Sequence, residues 1–145
     1  MCLTWRLRMR RLEWWPFPPG AWLSLAVLLC YANALGGVFQ FDDYKVIVDN
    51  PAVHTWDAWW GHNGQGLLGI RPLLKLSYLL SWTTGAGALG FLVMNIALHG
   101  ANVWLVYRLA HAVLAWLAPR EPWADVPFWT ALVFAVHPAQ TEAVT

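Results

Sequence analysis

Asp42 and Asp43 are adjacent carboxylates in the stretch Val38-Phe39-Gln40-Phe41-Asp42-Asp43-Tyr44-Lys45, at the far mouth of an apolar run that begins at Ala21. Neighbouring carboxylates repel, and the repulsion can raise one pKa, which turns an acid side chain into a base candidate. An ionised Asp at the centre of a membrane helix costs about 2.5 to 3.5 kcal/mol, so acids near a span belong at its ends. This pair obeys that rule. A solvated helix terminus would look the same in sequence, but at a membrane surface paired acids also suit transfer of a group from a lipid-linked donor.

Cations follow in the same stretch of chain. Arg71 stands before Pro72, where an arginine can hold a lipid phosphate with two hydrogen bonds or simply snorkel to headgroups. Lys75 falls one helical turn later on the same side. Farther on, Asn95, His99 and Asn102 recur at spacings of four and three, so they share one helix face and should turn toward protein, most simply to make interhelical hydrogen bonds. Arg108 and His111 lie toward the inner interface. The block His137-Pro138-Ala139-Gln140-Thr141-Glu142-Ala143-Val144 closes the chain's polar set. Pro138 cannot donate to the Phe134 carbonyl and should kink or end a helix there, and an acid such as Glu142 near a span is a functional candidate by default. His54 and His62 have no zinc-like spacing and read as solvated loop histidines.

The elements that must position these groups are set by composition. The chain is 59% hydrophobic and 12% charged, with 12 Trp in 145 residues, which marks a membrane protein. The basic residues form no stripe, so a nucleic-acid partner is not expected. Cys2 and Cys30 read as free thiols. A bilayer core about 30 Å thick needs about 20 apolar residues of helix, and the sequence supplies such runs at 21–38, 88–117 and 126–145. The expected fold class is therefore an all-α membrane protein with about three transmembrane helices.

Arg6, Arg8, Arg10 and Arg11 make residues 1–20 a basic arm, which the positive-inside rule places in the cytosol. Residues 39–87 then form a long outer loop, and 118–125, with Arg120, a cytosolic turn. Within the outer loop, Asp49-Asn50-Pro51 reads as a turn. Residues 56–60 read as a short interfacial helix with Trp56, Trp59 and Trp60 largely on one side, and 72–82 as a juxtamembrane helix opened by Pro72. Trp14, Trp15, Trp22, Trp123 and Trp129 suit interfacial belts. A cleaved signal peptide is the rival for the first run, since Ala32-Asn33-Ala34 fits a cleavage pattern.

Taken in order, Phe41-Asp42-Asp43, Asp49-Asn50-Pro51, Arg71-Pro72-Leu73 with Leu76-Ser77-Tyr78, Asn95 with His99, and His137-Pro138 with Thr141-Glu142-Ala143-Val144 resemble the N-terminal membrane region of GT-C glycosyltransferases. The likeness is to TMTC-type proteins, transmembrane O-mannosyltransferases with tetratricopeptide repeats, and to their bacterial relatives. It runs from about Tyr31 to Thr145. It implies that these helices begin a larger GT-C fold, although no repeat occurs in this chain. It also implies transfer of a sugar from a polyprenyl-phosphate donor to a protein or glycan acceptor. On that carry-over Asp42 and Asp43 match the catalytic acids, with Asp42 taking the acceptor's proton. Arg71 matches the Arg-Pro position and would lie near the carrier, with Lys75 beside it. His137 and Glu142 match the His-Pro and Thr-Glu-Ala-Val block and are grouped with them as phosphate- or substrate-binding residues. A divalent metal is an open requirement, because some GT-C enzymes use one and others do not.

Two other readings fit the same residues. A non-catalytic scaffold would keep the architecture without the chemistry, and a transporter would use the polar face of Asn95, His99 and Asn102 as a path. Transporters break helices near the bilayer midplane, whereas Pro138 lies toward an end. The Ala- and Trp-rich spans favour a bacterial inner membrane over the endoplasmic reticulum.

Overall fold

The computed structural model describes residues 18–61, 69–117 and 125–144. The basic arm, His62, Arg120, Trp14, Trp15 and Trp123 lie outside these residues. The described residues are mostly helical and contain no strand, and two helical stretches, Pro19–Gly36 and Ala88–Leu117, are long and apolar enough to cross a membrane.

Helix α1 runs Pro19–Tyr31, with Pro19 in the first turn, where its missing N–H costs nothing. A 3-10 turn, Ala32–Gly36, continues it. Leu23, Val27 and Tyr31, spaced by four, form its buried stripe, while Leu28 and Leu29 stay exposed on the other side. Apolar residues on every side of a helix are the mark of a span, because lipid asks for no polar face.

Helix α4, Ala88–Leu117, is 30 residues. At 1.5 Å per residue it extends about 45 Å, more than a bilayer core, so it crosses at a tilt or emerges from it. Its buried residues Phe91, Leu92, Ile96, His99 and Val103 all precede Trp104. Helix α5, Val126–Val136, packs against α1 and α4 along Phe128, Ala131 and Ala135. The small alanines bring backbones close, and dispersion contacts replace the hydrophobic drive that lipid removes.

The third apolar run is not one span. Helix α5 holds only 11 residues, about 17 Å at the helical rise and too short to cross. His137 turns extended, φ −69° and ψ 127°, a 3-10 turn covers Pro138–Gln140, and a last short helix α6 covers Thr141–Val144. Pro138 is the cause, since it lacks the N–H that would bond the Phe134 carbonyl and its ring displaces the preceding turn. The break lets Val144 fold back into the core formed by α1, α4 and α5.

Between the spans lies a separate small layer. It contains a π-helical turn Tyr44–Val48, a 3-10 turn Pro51–Val53, helix α2, Trp56–Trp60, and helix α3, Pro72–Thr83. Ile47, Ala52, Val53, Trp59 and Leu79 are buried there. Asn50 organises the turn: its Oδ1 accepts from the Ala52 N–H at 3.2 Å and its Nδ2 donates to the Val46 carbonyl at 3.1 Å. Thr55 caps α2 by accepting from Ala58 N–H. The three Trp rings of α2 touch in sequence, Trp56 to Trp59 at 6.3 Å and Trp59 to Trp60 at 4.8 Å, with Trp59 buried and the outer two exposed. His54 is not a solvated loop residue. Its ring stacks on Trp82, centroids 3.8 Å apart, and its Nε2 donates to the Ile47 carbonyl at 2.8 Å, which pins the loop to α3.

Candidate functional site

The two acids sit in one helical turn but have different surroundings. Asp42 is exposed, and Asp43 is half-buried. The Asp43 carboxylate accepts from the Gln40 N–H at 2.9 Å, while the Asp43 N–H donates to the Gln40 carbonyl at 2.8 Å. This reciprocal pair closes the turn in the manner of a capping box, so Asp43 has a structural duty that Asp42 lacks. Phe41, just before them, is held at φ 38°, a left-handed conformation unfavourable for an aromatic residue.

Arg71 repeats the pattern. It is exposed and left-handed, at φ 54° and ψ 57°, directly before Pro72 at the start of α3. Proline bars the residue before it from the right-handed helical region. Lys75 is half-buried one turn into α3, and its N–H bonds the Arg71 carbonyl at 3.1 Å. Phe41 and Arg71 are the non-glycine residues with positive φ among those described, and both adjoin a residue singled out for chemistry or are one.

Tyr78 joins the acid segment to the cation segment. Its ring lies 5.9 Å from that of Phe91, and Phe91 lies edge-on to Phe39 at 5.5 Å, so the chain before the acids and helix α3 share one aromatic floor on α4. Burial pushes the Tyr78 phenol above its ordinary 10.0; the negative charge of Asp43 pushes the same way, and the positive charge of Arg71 pulls it back. An acid and a cation that are remote in sequence thus act on the same phenol. In the sequence Tyr78 stands out only as part of a motif. Its aromatic partner, Phe91, comes from a different helix, and no local spacing announces that.

His137 and Glu142 are both exposed on the segment after α5. The His137 Nδ1 accepts from the Ala139 N–H at 3.1 Å, so that nitrogen carries no hydrogen and Nε2 is the free donor. Of the polar face on α4, only His99 is fully buried; Asn95 is half-buried and Asn102 exposed, because the core covers a narrower stripe than the shared face suggests. Arg108 lies over the Trp104 ring at 5.9 Å.

No group of three or more His, Cys, Asp or Glu side chains converges on a metal position among the described residues. Asp42 and Asp43 are the adjacent carboxylates that a divalent ion would meet there. An apolar groove of about 470 Å³ lies between α1 and α4, lined by residues such as Ser24, Val27, Tyr31, Ile96 and Gly100, and none of the candidate site residues lines it.

Known proteins resemble this chain over most of its length. A mouse protein O-mannosyl-transferase, TMTC1, is 34% identical over 89% of this chain and 14% of its own length. A Drosophila melanogaster protein O-mannosyl-transferase, Tmtc2, is 36% identical over 83% of this chain and 13% of its own. A Caenorhabditis elegans protein O-mannosyl-transferase, F38B6.6, is 30% identical over 84% of this chain and 19% of its own. No protein-family model and no solved structure matches. The chain thus spans less than a quarter of the length of these relatives. On this similarity, carried by an all-α fold with two membrane-length helices, the chain is a homologue of the TMTC-type protein O-mannosyl-transferases.

Proposed function

We propose that this chain is part of an integral-membrane glycosyltransferase of GT-C type that moves a mannose from a polyprenyl-phosphate carrier to a Ser or Thr hydroxyl of a protein. The observation that supports this reading is the contact of Phe39 and Tyr78 with one ring, Phe91, which ties the segment before the acid pair to the helix that Arg71 opens. The names of the relatives support the sugar and the class of acceptor.

The chemistry follows from those groups. The acceptor hydroxyl oxygen forms a bond to the anomeric carbon as the bond from that carbon to the phosphate oxygen breaks. Asp42, exposed and free of capping duty, takes the hydroxyl proton, a contribution of about 10²- to 10⁴-fold. The electron pair leaves on the phosphate, whose charge Arg71 and Lys75 neutralise. His137 and Glu142 would act on donor or acceptor only if the rest of the protein folds their segment toward the acids. A divalent metal, if one is used, would supply further phosphate neutralisation at the Asp42–Asp43 edge.

The test is transfer to a Ser/Thr-containing peptide by the full-length protein in liposomes, with mannose supplied on polyprenyl phosphate or on a nucleotide. Product from the lipid donor is expected. Product from the nucleotide donor alone, or from neither with protein that is folded, would overturn the reading.

A further inference from the structure

His99 is a buried titratable side chain for which the proposed chemistry has no use. It occupies the point where three helices meet: its ring is edge-on to Tyr31 of α1 at 5.2 Å and stacked with Phe134 of α5 at 5.6 Å. Its Nε2 is 3.1 Å from the Ala135 carbonyl oxygen. A carbonyl cannot donate, so Nε2 carries the hydrogen.

The reason that this carbonyl needs a partner lies downstream. A helix carbonyl normally accepts from the N–H four residues later. For Phe134 that donor would be Pro138, which has none. For Ala135 it would be Ala139, whose N–H is turned instead to the His137 Nδ1 at 3.1 Å. The break therefore opens a carbonyl on Ala135, a fully buried residue, where an unmet acceptor is costly. A leucine or phenylalanine at position 99 would fill the space and leave it unmet.

We propose that His99 is a positioning residue that caps the carbonyl opened by the His137-Pro138 break, and so fixes the course of the segment bearing His137 and Glu142. The helix-capping claim stands on these contacts alone; its consequence for sugar transfer rests on the function proposed above. The α4 helix thereby holds the end of α5 by a directional bond as well as by packing. Gln at position 99 can supply an N–H from a similar reach, whereas Leu cannot.

Two measurements on the full-length protein test this. In a background with Cys2 and Cys30 replaced by Ser, a single cysteine at exposed Ala139 reports the segment through its rate of reaction with a maleimide. His99→Leu should change that rate by about tenfold, the size of one lost buried hydrogen bond, and His99→Gln should leave it near the parent value. The second measurement is a double-mutant cycle on the yield of folded protein, which is informative even where His99→Leu accumulates poorly. Pro138→Ala restores an N–H to the Phe134 carbonyl and lets the helix continue, which frees the Ala139 N–H for Ala135, so His99→Leu should be nearly neutral in that background. Equal labelling rates in all three proteins, or a His99→Leu loss as large in the Pro138→Ala background as in the parent, would overturn the proposal. Both readouts are independent of catalysis. Transfer itself then tests the consequence: kcat should fall in His99→Leu and recover in His99→Gln, and unchanged kcat with altered labelling would show that the segment is not part of the chemistry.

Discussion

At the scale of the residue, the acid doublet separates into two environments. Asp43 closes its own turn through Gln40 and its charge acts on the Tyr78 phenol, while Asp42 is exposed and uncommitted. Tyr78 offers a spectroscopic check on that placement. Its phenol should titrate above 10.0 because burial and then Asp43 disfavour the phenolate. Asp43→Asn should lower its midpoint and Arg71→Gln should raise it, read as the ultraviolet difference against Tyr78→Phe. The sign for stability follows: the neutral phenol's contribution is whole below the unfolded value near 10 and is lost as pH rises through the higher folded value. Unmoved midpoints in both variants would mean that neither charge acts on Tyr78. The acids themselves were legible because charge beside a span is rare. Tyr78 and His54 were not, since each draws its meaning from partners, Phe91 and Trp82, brought together only by folding.

At the scale of the element, helices that follow composition were readable, and so was the break that a proline imposes. The run 88–117 is one helix, and Pro72 opens α3, as apolar length and proline geometry require. In the third run hydropathy continues through Pro138 while the backbone cannot, so the helix ends where the proline was expected to kink or end it, and 11 helical residues stand where apolar length alone suggested a full span. The described residues between the two long helices form a packed layer around Val53, Trp59 and Leu79. His54→Ala should cost this layer about 2 kcal/mol, from one hydrogen bond to the Ile47 carbonyl and one aromatic stack. Limited proteolysis between residues 44 and 54 would read this as faster cleavage with the spans intact. Cleavage at the parent rate would mean that His54 does not pin the loop.

At the scale of the whole molecule, apolar residues cover both the packed and the open faces of α1 and α4, as with Leu28, Leu29, Leu105 and Leu109, all exposed. Lipid or further helices must meet those faces, because water would not support them. The proposed orientation comes from the basic arm alone and puts the acids outside. Single cysteines at Asp49 and Arg120, with Cys2 and Cys30 replaced, should therefore react with an impermeant reagent from opposite sides of a sealed vesicle, and reaction from one side would reverse or void that topology. Everything in the proposed reaction then turns on one carboxylate. The most direct measurement is mannose transfer from polyprenyl phosphate by the full-length Asp42→Asn protein beside the parent. A fall of at least about 100-fold in kcat, the lower bound for a lost general base, is predicted at an unchanged amount of folded protein; transfer at the parent rate would contradict the account.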